Sequence, residues 1–590
     1  MHESDPYEPS SKGYLLLTIL VVGLFCLILL RLWHLQVLQG REYANEAEQN
    51  LLRERSIYAL RGLIRDRNGE LLAGNRPAYA LALIREDCRD IQAALSRISD
   101  WTDISFQNLE ERYNSRKGRV KSFKPLILIP SLTFSELARI ETRLMNWPGL
   151  QIIARPQRYY PRAPVFSHLL GYVAQPTLKE LRENPSLQLG DTIGKRSLER
   201  ALDRQLRGSK GKKVLEVDAQ GRVLKERIVD KSKSGRSFRL TIDADLQRFI
   251  WRKLGDKSGA VVVMRPNSGN VLAMVSKPGY NGNSFVEGIS EQKWQGLLNN
   301  PRDPLRNRAI QGTYPPGSVF KLVIASAALL RETVPIDKKL HCPGFYRLGN
   351  RVFRCWKPGG HGDVALQEAI KQSCDVYFYQ LGEKLGIDAI SNYARNNGFQ
   401  QQTDILLPNE HSGVIPGREW KMRNIGRPWQ GGDTLNTAIG QGFTLVTPLQ
   451  ISRYVAALVN GGHLLQPNLL AKSEPTQQGR LPLSGDSINF LLNSMRVTVE
   501  EPHGTAWRLR TKDAVIGGKT GTAQVIELTE ELRGEDTEAI PYRFRDHAWM
   551  ASYGIRGKKK YVVVALIEHG GHGSSAAGPV IKSVYDYLFP

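Results

Sequence analysis

The most one-sided hydrophobic stretch of the chain is "GYLLLTILVVGLFCLILL", Gly13 to Leu30, 18 uncharged residues between Lys12 and Arg31. A bilayer-spanning helix needs about 20 apolar residues, whereas a cleaved signal peptide carries a shorter core of roughly 7–15. Trp33 suits a membrane interface. Residues 13–35 are therefore expected to form an uncleaved anchor, residues 1–12 a short tail, and the rest of the chain to lie on one side of the membrane.

Beyond the anchor the pattern alternates between strand-like and helix-like stretches. "LIRDRNGELLA", Leu63 to Ala73, predicts a hairpin with a type I′ turn at Asn68-Gly69. Phe134 to Leu144 predicts an amphipathic helix, and "RYYPRAP" an irregular loop. Residues 36–235 thus read as an α+β pedestal without a catalytic cluster, bounded by the breaker-rich "DKSKSGRSF". In residues 236–590, Ala260–Met264 and Val271–Val275 flank Pro266-Asn267-Ser268-Gly269 as one hairpin, and His547–Tyr553 and Tyr561–Glu568 form another. Helical patterns lie between the two hairpins, which predicts an antiparallel sheet covered by helices. The fold class expected is an α/β multidomain, membrane-anchored protein.

Composition narrows this little. With 590 residues, 41% hydrophobic and 24% charged, the chain is globular and too long for a single core. The net charge of +23 raises the question of a nucleic-acid partner. No zinc-finger, helix-turn-helix or RNA-binding signature accompanies it, and the basic residues are spread out, so an anionic membrane or polymer surface fits and nucleic acid is not expected.

The chemistry begins in "GTYPPGSVFKLVIASAALL", residues 312–330, where a Pro-Pro-Gly turn leads into Ser318 and Lys321 at the head of an apolar helix. Residues i and i+3 share a helix face, so Lys321 is placed to take the proton of Ser318 as it becomes a nucleophile. Backbone N–H groups at the helix start can steady an oxyanion. A second Ser-x-x-Lys, Ser209 to Lys212 in "GSKGKK", lacks this context and reads as a solvated basic loop. Downstream, "KQSCDVYF" places Ser373, Cys374 and Asp375 between two helical runs, the first spanning Val364 to Gln372, where the Ser373 hydroxyl can relay a proton. In "VIGGKTGTAQV", Lys519 and Thr520 make a carboxylate-binding pair, and Gly521 leaves room for substrate at the strand edge. The ammonium of Lys519 is expected to keep Lys321 neutral.

In this order and context the three motifs resemble the signature set of penicillin-recognising serine acyltransferases. The chain as a whole resembles the class B penicillin-binding proteins, in particular the penicillin-binding protein 2 group of rod-shaped Gram-negative bacteria. The stretches that carry the resemblance are "RDRNGELLAGNRPAY", "NRAIQGTYPPGSVFK", "RCWKPGGHG", "QSCDVYFYQLGEKLGID", "AIGQGFTLVTPLQ" and "GGKTGTAQV". Many relatives have Asn at the position of Asp375, and an ionised Asp accepts hydrogen bonds but cannot donate; the penicillin-binding protein 2 group resembles this sequence in having Asp. The resemblance implies a single-pass inner-membrane protein with its bulk in the periplasm and a pedestal below a transpeptidase domain at residues 236–590. It also implies a RodA-type SEDS glycosyltransferase and other elongation-complex proteins as partners.

The implied reaction is serine-type D,D-transpeptidation, an acyl transfer of the carboxypeptidase kind that cross-links peptidoglycan during lateral elongation. Ser318 attacks the D-Ala-D-Ala carbonyl of a stem pentapeptide with Lys321 as base, while Lys519 and Thr520 hold the terminal carboxylate. The N–H groups of Ser318 and Thr522 form the oxyanion hole, and β-lactams acylate the same serine. A β-lactamase is disfavoured by the anchor and pedestal, and a multi-span sensor by the single span. A catalytically silent β-lactam-binding scaffold stays open.

Cys342, Cys355, His361 and Cys374, spaced by 13, 6 and 13 positions, form a soft ligand set suited to tetrahedral structural zinc. The rival is a Cys342–Cys355 disulfide, which an oxidising compartment would favour. The loop "CPGFYRLGNRVFRCWKPGGHG" has little core of its own and calls for a staple of one kind or the other. The resemblance implies zinc, with Asp in relatives at the positions of Cys342 and Cys355.

Overall fold

A computed structural model describes residues 11–41, 52–188, 190–217, 223–525 and 540–590. The chain packs into two compact units. The smaller comprises Met1–Ala59 and Gly208–Ser234. Its N-terminal helix, Ser11–Trp33, continues through His34–Leu38 and leaves its apolar side chains uncovered, as a helix with lipid for a solvent would. By length and composition it is the one helix among the described residues able to cross a membrane. The same unit holds an antiparallel sheet of Leu52–Ile57, Gly211–Val217 and Val223–Asp230, with the middle segment central. Ser209 lies beside this sheet, its backbone paired with Lys233, so the second Ser-x-x-Lys is ordinary surface structure.

The larger unit joins Leu60–Arg207 to Gly235–Pro590. Its first part is built on a long strand, Leu71–Leu83, paired with Ile64–Arg65, Leu126–Ile129 and Leu150–Tyr159. The hairpin at Leu63–Ala73 forms, but not around a two-residue type I′ turn. Asp66 Oδ1 accepts from the N–H groups of Asn68 and Glu70 and organises a longer loop, in which only Gly69 takes a positive φ, +98°. The helix expected at Phe134–Leu144 spans Phe134–Glu141, opened by a reciprocal Thr133–Glu136 cap. At the centre of this part Glu199, wholly buried, accepts from Arg61, Arg158 and Tyr160, and Arg61 also pairs with Asp203.

The second part contains a five-stranded antiparallel sheet whose strands come from both ends of the segment. In chain order they are β1 (Gly259–Met264), β2 (Val271–Lys277), β3 (Val515–Ala523), β4 (His547–Arg556) and β5 (Lys559–Ile567), arranged β2-β1-β5-β4-β3. The helices needed here are α1 (Lys321–Leu330), α2 (Leu366–Lys371), α3 (Asp375–Asn396), α4 (Pro448–Val459), α5 (Gly485–Glu500) and α6 (Gly578–Leu588). "YVVVALI" is unbroken by polar residues because β5 is covered on both faces. Val562, Val564 and Leu566 join the core that includes α1, α3 and α4, while Val563, Ala565 and Ile567 join the one that includes α6. The expected helix-covered antiparallel sheet is what forms, and β3, at its edge, carries the third motif.

Candidate active site

The turn before Ser318 is set by Gly317, at φ +53°. A Cβ there would fall 2.5 Å from the carbonyl oxygen of Thr522, so only glycine lets this turn lie against β3. The strand reciprocates: a Cβ at Gly521 would sit 3.0 Å from Pro316 O and 3.2 Å from Val319 Cγ1. Gly521 was expected to clear space for substrate; its bare Cα instead admits the nucleophile turn. Two further bonds pin the seam, Trp549 Nε1–H to Pro315 O at 2.9 Å and Gln441 Nε2–H to Thr522 O at 3.0 Å. Ser318 follows on a tight single turn, Gly317–Phe320, and α1 begins only at Lys321.

Ser318 is half-buried, and among the described residues its hydroxyl makes no side-chain hydrogen bond. Lys321 is fully buried, and its Nζ donates to Ser373 O at 2.8 Å, Ser373 Oγ at 3.3 Å and Asp375 Oδ1 at 2.7 Å. Lys519, also fully buried, donates from Nζ to Ser373 Oγ at 2.8 Å and to its neighbour's carbonyl, Thr520 O, at 3.0 Å. The Ser373 hydroxyl therefore bridges two amines. Its backbone is held at φ +57°, a strained conformation for a residue with a Cβ. All three motifs meet here.

The surroundings of Lys519 favour its neutral form, where a standing ammonium was expected. Burial pushes Lys519 well below the ordinary lysine range, the charge of Lys321 pushes it further, and Asp375 opposes both. Lys519 is thus the lysine unloaded by its surroundings, and Lys321 the one held in an ion pair. Asp375 does not need to donate to substrate. Its second oxygen accepts from the Trp356 backbone N–H at 2.9 Å, so the carboxylate is a bracket between Lys321 and the loop above. On β3 the half-exposed residues are Thr520 and Thr522, not Lys519.

Cys342, Cys355, His361 and Cys374 converge, with one ligand atom from each lying within 4.8 Å of all the others. All three cysteines are free thiols in this structure. His361 Nδ1 lies 3.6 Å from Cys342 Sγ and 3.5 Å from Cys355 Sγ. Metal–sulfur and metal–nitrogen bonds of about 2.3 and 2.0 Å at a tetrahedral centre put S and N about 3.5 Å apart, so the donor set and its spacing fit zinc. The cluster is joined to the second motif at two points. Cys374 caps α3 between Ser373 and Asp375, its Sγ accepting from Tyr377 N–H. Cys355 precedes Trp356, whose indole N–H reaches Gln372 O at 3.1 Å and Ser373 O at 3.2 Å.

Trp356, Gln441 and Trp549 were not singled out in the sequence, although Trp356 lies inside "RCWKPGGHG" and Gln441 inside "AIGQGFTLVTPLQ". An unpaired aromatic in a Gly-Pro loop beside three metal-type ligands was the available signal for Trp356.

Residues 259–586 match the penicillin binding protein transpeptidase domain, and residues 56–240 the penicillin-binding protein dimerisation domain. The peptidoglycan D,D-transpeptidase MrdA of Haemophilus influenzae is 34% identical over 94% of this chain and 88% of its own length. Among solved structures, penicillin-binding protein 2 of Helicobacter pylori, seen in complex with MreC, superposes with a TM-score of 0.81 at 29% identity, covering 91% of this chain and 99% of that one. A chain from a peptidoglycan synthase complex, solved to explain how polymerization and crosslinking are coordinated, gives 0.71 at 28% identity over 98% and 99%. With three motifs gathered on one hydroxyl and these relatives covering nearly its full length, the chain belongs to the penicillin-binding protein transpeptidases, in the penicillin-binding protein 2 group.

Proposed function

We propose that this chain cross-links peptidoglycan stem peptides through an acyl-enzyme on Ser318, as the D,D-transpeptidase of an elongation complex, and that β-lactams acylate the same residue. The observation that carries the reading is the Ser373 hydroxyl bridged by the Lys321 and Lys519 amines beside the Ser318 turn. Two buried ammonium groups and one carboxylate leave a charge uncompensated, so the site is neutral when the two lysines share a single proton. Without substrate that proton rests against Asp375. A terminal D-Ala carboxylate arriving at Thr520 and Thr522 draws the charge toward Lys519, by transfer from Lys321 through the Ser373 hydroxyl. Lys321 is then free to take the proton of Ser318 as Oγ attacks the penultimate D-Ala carbonyl. The N–H groups of Ser318 and Thr522, on segments held in contact by Gly317, face the oxyanion. As the C–N bond breaks, the proton returns through Ser373 to the departing D-Ala nitrogen. An amine from a second stem peptide then takes the acyl group; water as acceptor gives the carboxypeptidase product instead.

Zinc held by Cys342, Cys355, His361 and Cys374 would be structural, a closed four-ligand site that braces Ser373 and Trp356 from behind. The N-terminal helix anchors the chain in the inner membrane with its bulk in the periplasm. A RodA-type SEDS polymerase is the partner whose glycan product this enzyme cross-links, and an MreC-like scaffold is a second partner.

Labelling with fluorescent penicillin and mapping the adduct by mass spectrometry tests the core of this reading. The adduct is expected on Ser318 alone, and cross-linking of lipid-linked substrate should vanish in Ser318→Ala. An adduct on Ser373 overturns the assignment of roles. Metal analysis should give about one zinc per chain, lost in Cys374→Ser; a metal-free protein whose Cys342 and Cys355 resist labelling until reduced would establish the disulfide.

A further inference from the structure

We infer that Thr505, on the loop between α5 and β3, is a positioning residue of the carboxylate subsite, setting the direction of the Thr520 hydroxyl. The inference builds on the reading of Thr520 as a contact for the substrate's terminal carboxylate. Thr520 Oγ1 does not point idly into the cleft: it donates to Thr505 Oγ1 at 2.9 Å. Thr505 in turn donates its own hydroxyl to Lys371 O at 3.5 Å, a long and weak bond, while its backbone N–H reaches the same carbonyl at 3.4 Å.

The loop is built to keep Thr505 there. Lys371, the last residue of α2, pairs through Nζ with Glu368 at 2.9 Å and with Glu501 at 3.0 Å, tying the start of the loop to the helix that precedes Ser373. A Cβ at Gly504 would fall 2.2 Å from Thr498 O, so only glycine brings the following residue this close to α5.

A hydroxyl has one proton and two lone pairs. In the free protein the Thr520 proton is committed to Thr505, leaving Thr520 an acceptor toward the cleft, the wrong polarity for a carboxylate. When the carboxylate binds, Thr520 turns its O–H to it, and Thr505 releases the weak bond to Lys371 O and donates to Thr520 Oγ1. The chain Thr505 to Thr520 to carboxylate then has every donor pointing one way, which strengthens the terminal bond. Because the bond released is the long one, the reversal costs little. Thr505 touches neither Ser318 nor the reacting carbonyl in this scheme; it acts through Thr520 alone.

The test compares second-order acylation constants for wild type, Thr505→Val and Thr505→Ser with two probes, benzylpenicillin and its methyl ester. Thr505→Val keeps the shape and removes the hydroxyl. It is expected to slow acylation by benzylpenicillin about tenfold, to leave the slower reaction with the ester within about twofold, and to be rescued by Thr505→Ser. Equal losses with both probes, or no loss with either, overturn the inference. If Thr505→Val does not fold, Thr505→Ala and Thr505→Ser are compared by the same two-probe ratio, with equal ratios overturning it. A wild type that takes no adduct from benzylpenicillin overturns the functional reading itself, which the two-probe ratio cannot do.

Discussion

Two of the buried charge clusters in the larger unit, one around Glu199 and one around Ser373, differ in how their charges are matched. Around Glu199, two arginines meet two carboxylates: Arg158 Nε lies 2.6 Å from one oxygen of Glu199, Arg61 Nη2 lies 2.6 Å from the other, and Arg61 also reaches Asp203 at 2.8 Å. Burial alone would push the Glu199 carboxyl up, but Arg158 and Arg61 overcome it and hold the group below its usual range. Around Ser373, two lysines meet one carboxylate, and burial with the Lys321 charge drives Lys519 toward its neutral form. In the first cluster both carboxylates are met by arginines within the protein. The second balances only while one of its two lysines is neutral, and under the proposed function a substrate carboxylate would let both be charged in turn.

Removing Ser318 should have the largest effect on function. Ser318→Ala is expected to abolish the penicillin adduct and cross-linking while leaving the melting temperature unchanged, since the half-buried hydroxyl supports no other group. A residual adduct at full stoichiometry would break the comparison by placing the chemistry elsewhere. Next comes Glu199→Ala, which strands the buried Arg158 guanidinium, leaves Arg61 with Asp203 alone and should cost about 3–5 kcal/mol of unfolding free energy. Denaturant titration checks it, and a loss below about 1 kcal/mol would show that this network is not structural in the sense argued. Lys519→Met should do the opposite. It removes a buried amine with no ion-pair partner of its own among the described residues, so stability should hold or rise, while acylation by benzylpenicillin falls about tenfold to a hundredfold, the worth of one charge-assisted hydrogen bond. A folded variant that acylates at the wild-type rate would remove Lys519 from the mechanism.

The smallest effect, and the one that sharpens the contrast most, is on the pH dependence of stability. Glu199 titrates below the ordinary 4.5 when folded, so its contribution is present above that value and is lost as pH falls through its folded pKa. Lys519 titrates below the ordinary 10.5 when folded. Between its folded pKa and 10.5 the unfolded chain holds the extra proton, so stability climbs with pH through that window and levels off above it. Glu199→Gln should flatten the acid limb alone and Lys519→Met the alkaline limb alone. Each slope is at most about 1.4 kcal/mol per pH unit, measurable by urea titration at a series of pH values. Exchange of these two signatures between the variants would contradict the assignment.

The parts of this site legible in the sequence are those whose chemistry is local. Pro315-Pro316-Gly317 before Ser318, the apolar helix after it, and the break at Ser373 each carry their meaning in a few neighbouring residues. The β1–β2 and β4–β5 hairpins were legible for the same reason, as short apolar runs on either side of a short turn. What escaped depends on segments that meet only in the fold. Asp375 reads as a departure from an Asn motif until Trp356 N–H is seen on its second oxygen. Thr505 stands in "EPHGTAW" without any pattern to mark it, and the Arg61–Glu199 pair spans 138 positions. The direction of the Lys519 shift escaped because both amines are fully buried and what separates them is the Asp375 contact made by Lys321 alone, which spacing does not encode. The four metal-type residues were found because their chemistry is scarce enough to be noticed at any spacing.

The seam between Gly317 and Gly521 also limits how the protein can evolve under antibiotic pressure. An enzyme escapes a mimic of its substrate most simply by adding bulk where the mimic is wider than the substrate. At this turn no side chain can be added, because even one carbon at Gly317 would meet the Thr522 carbonyl at 2.5 Å and force the Ser318 turn away from β3. Bulk that discriminates against a lactam therefore has to be added outside this seam, on segments that do not pack the Ser318 turn against β3.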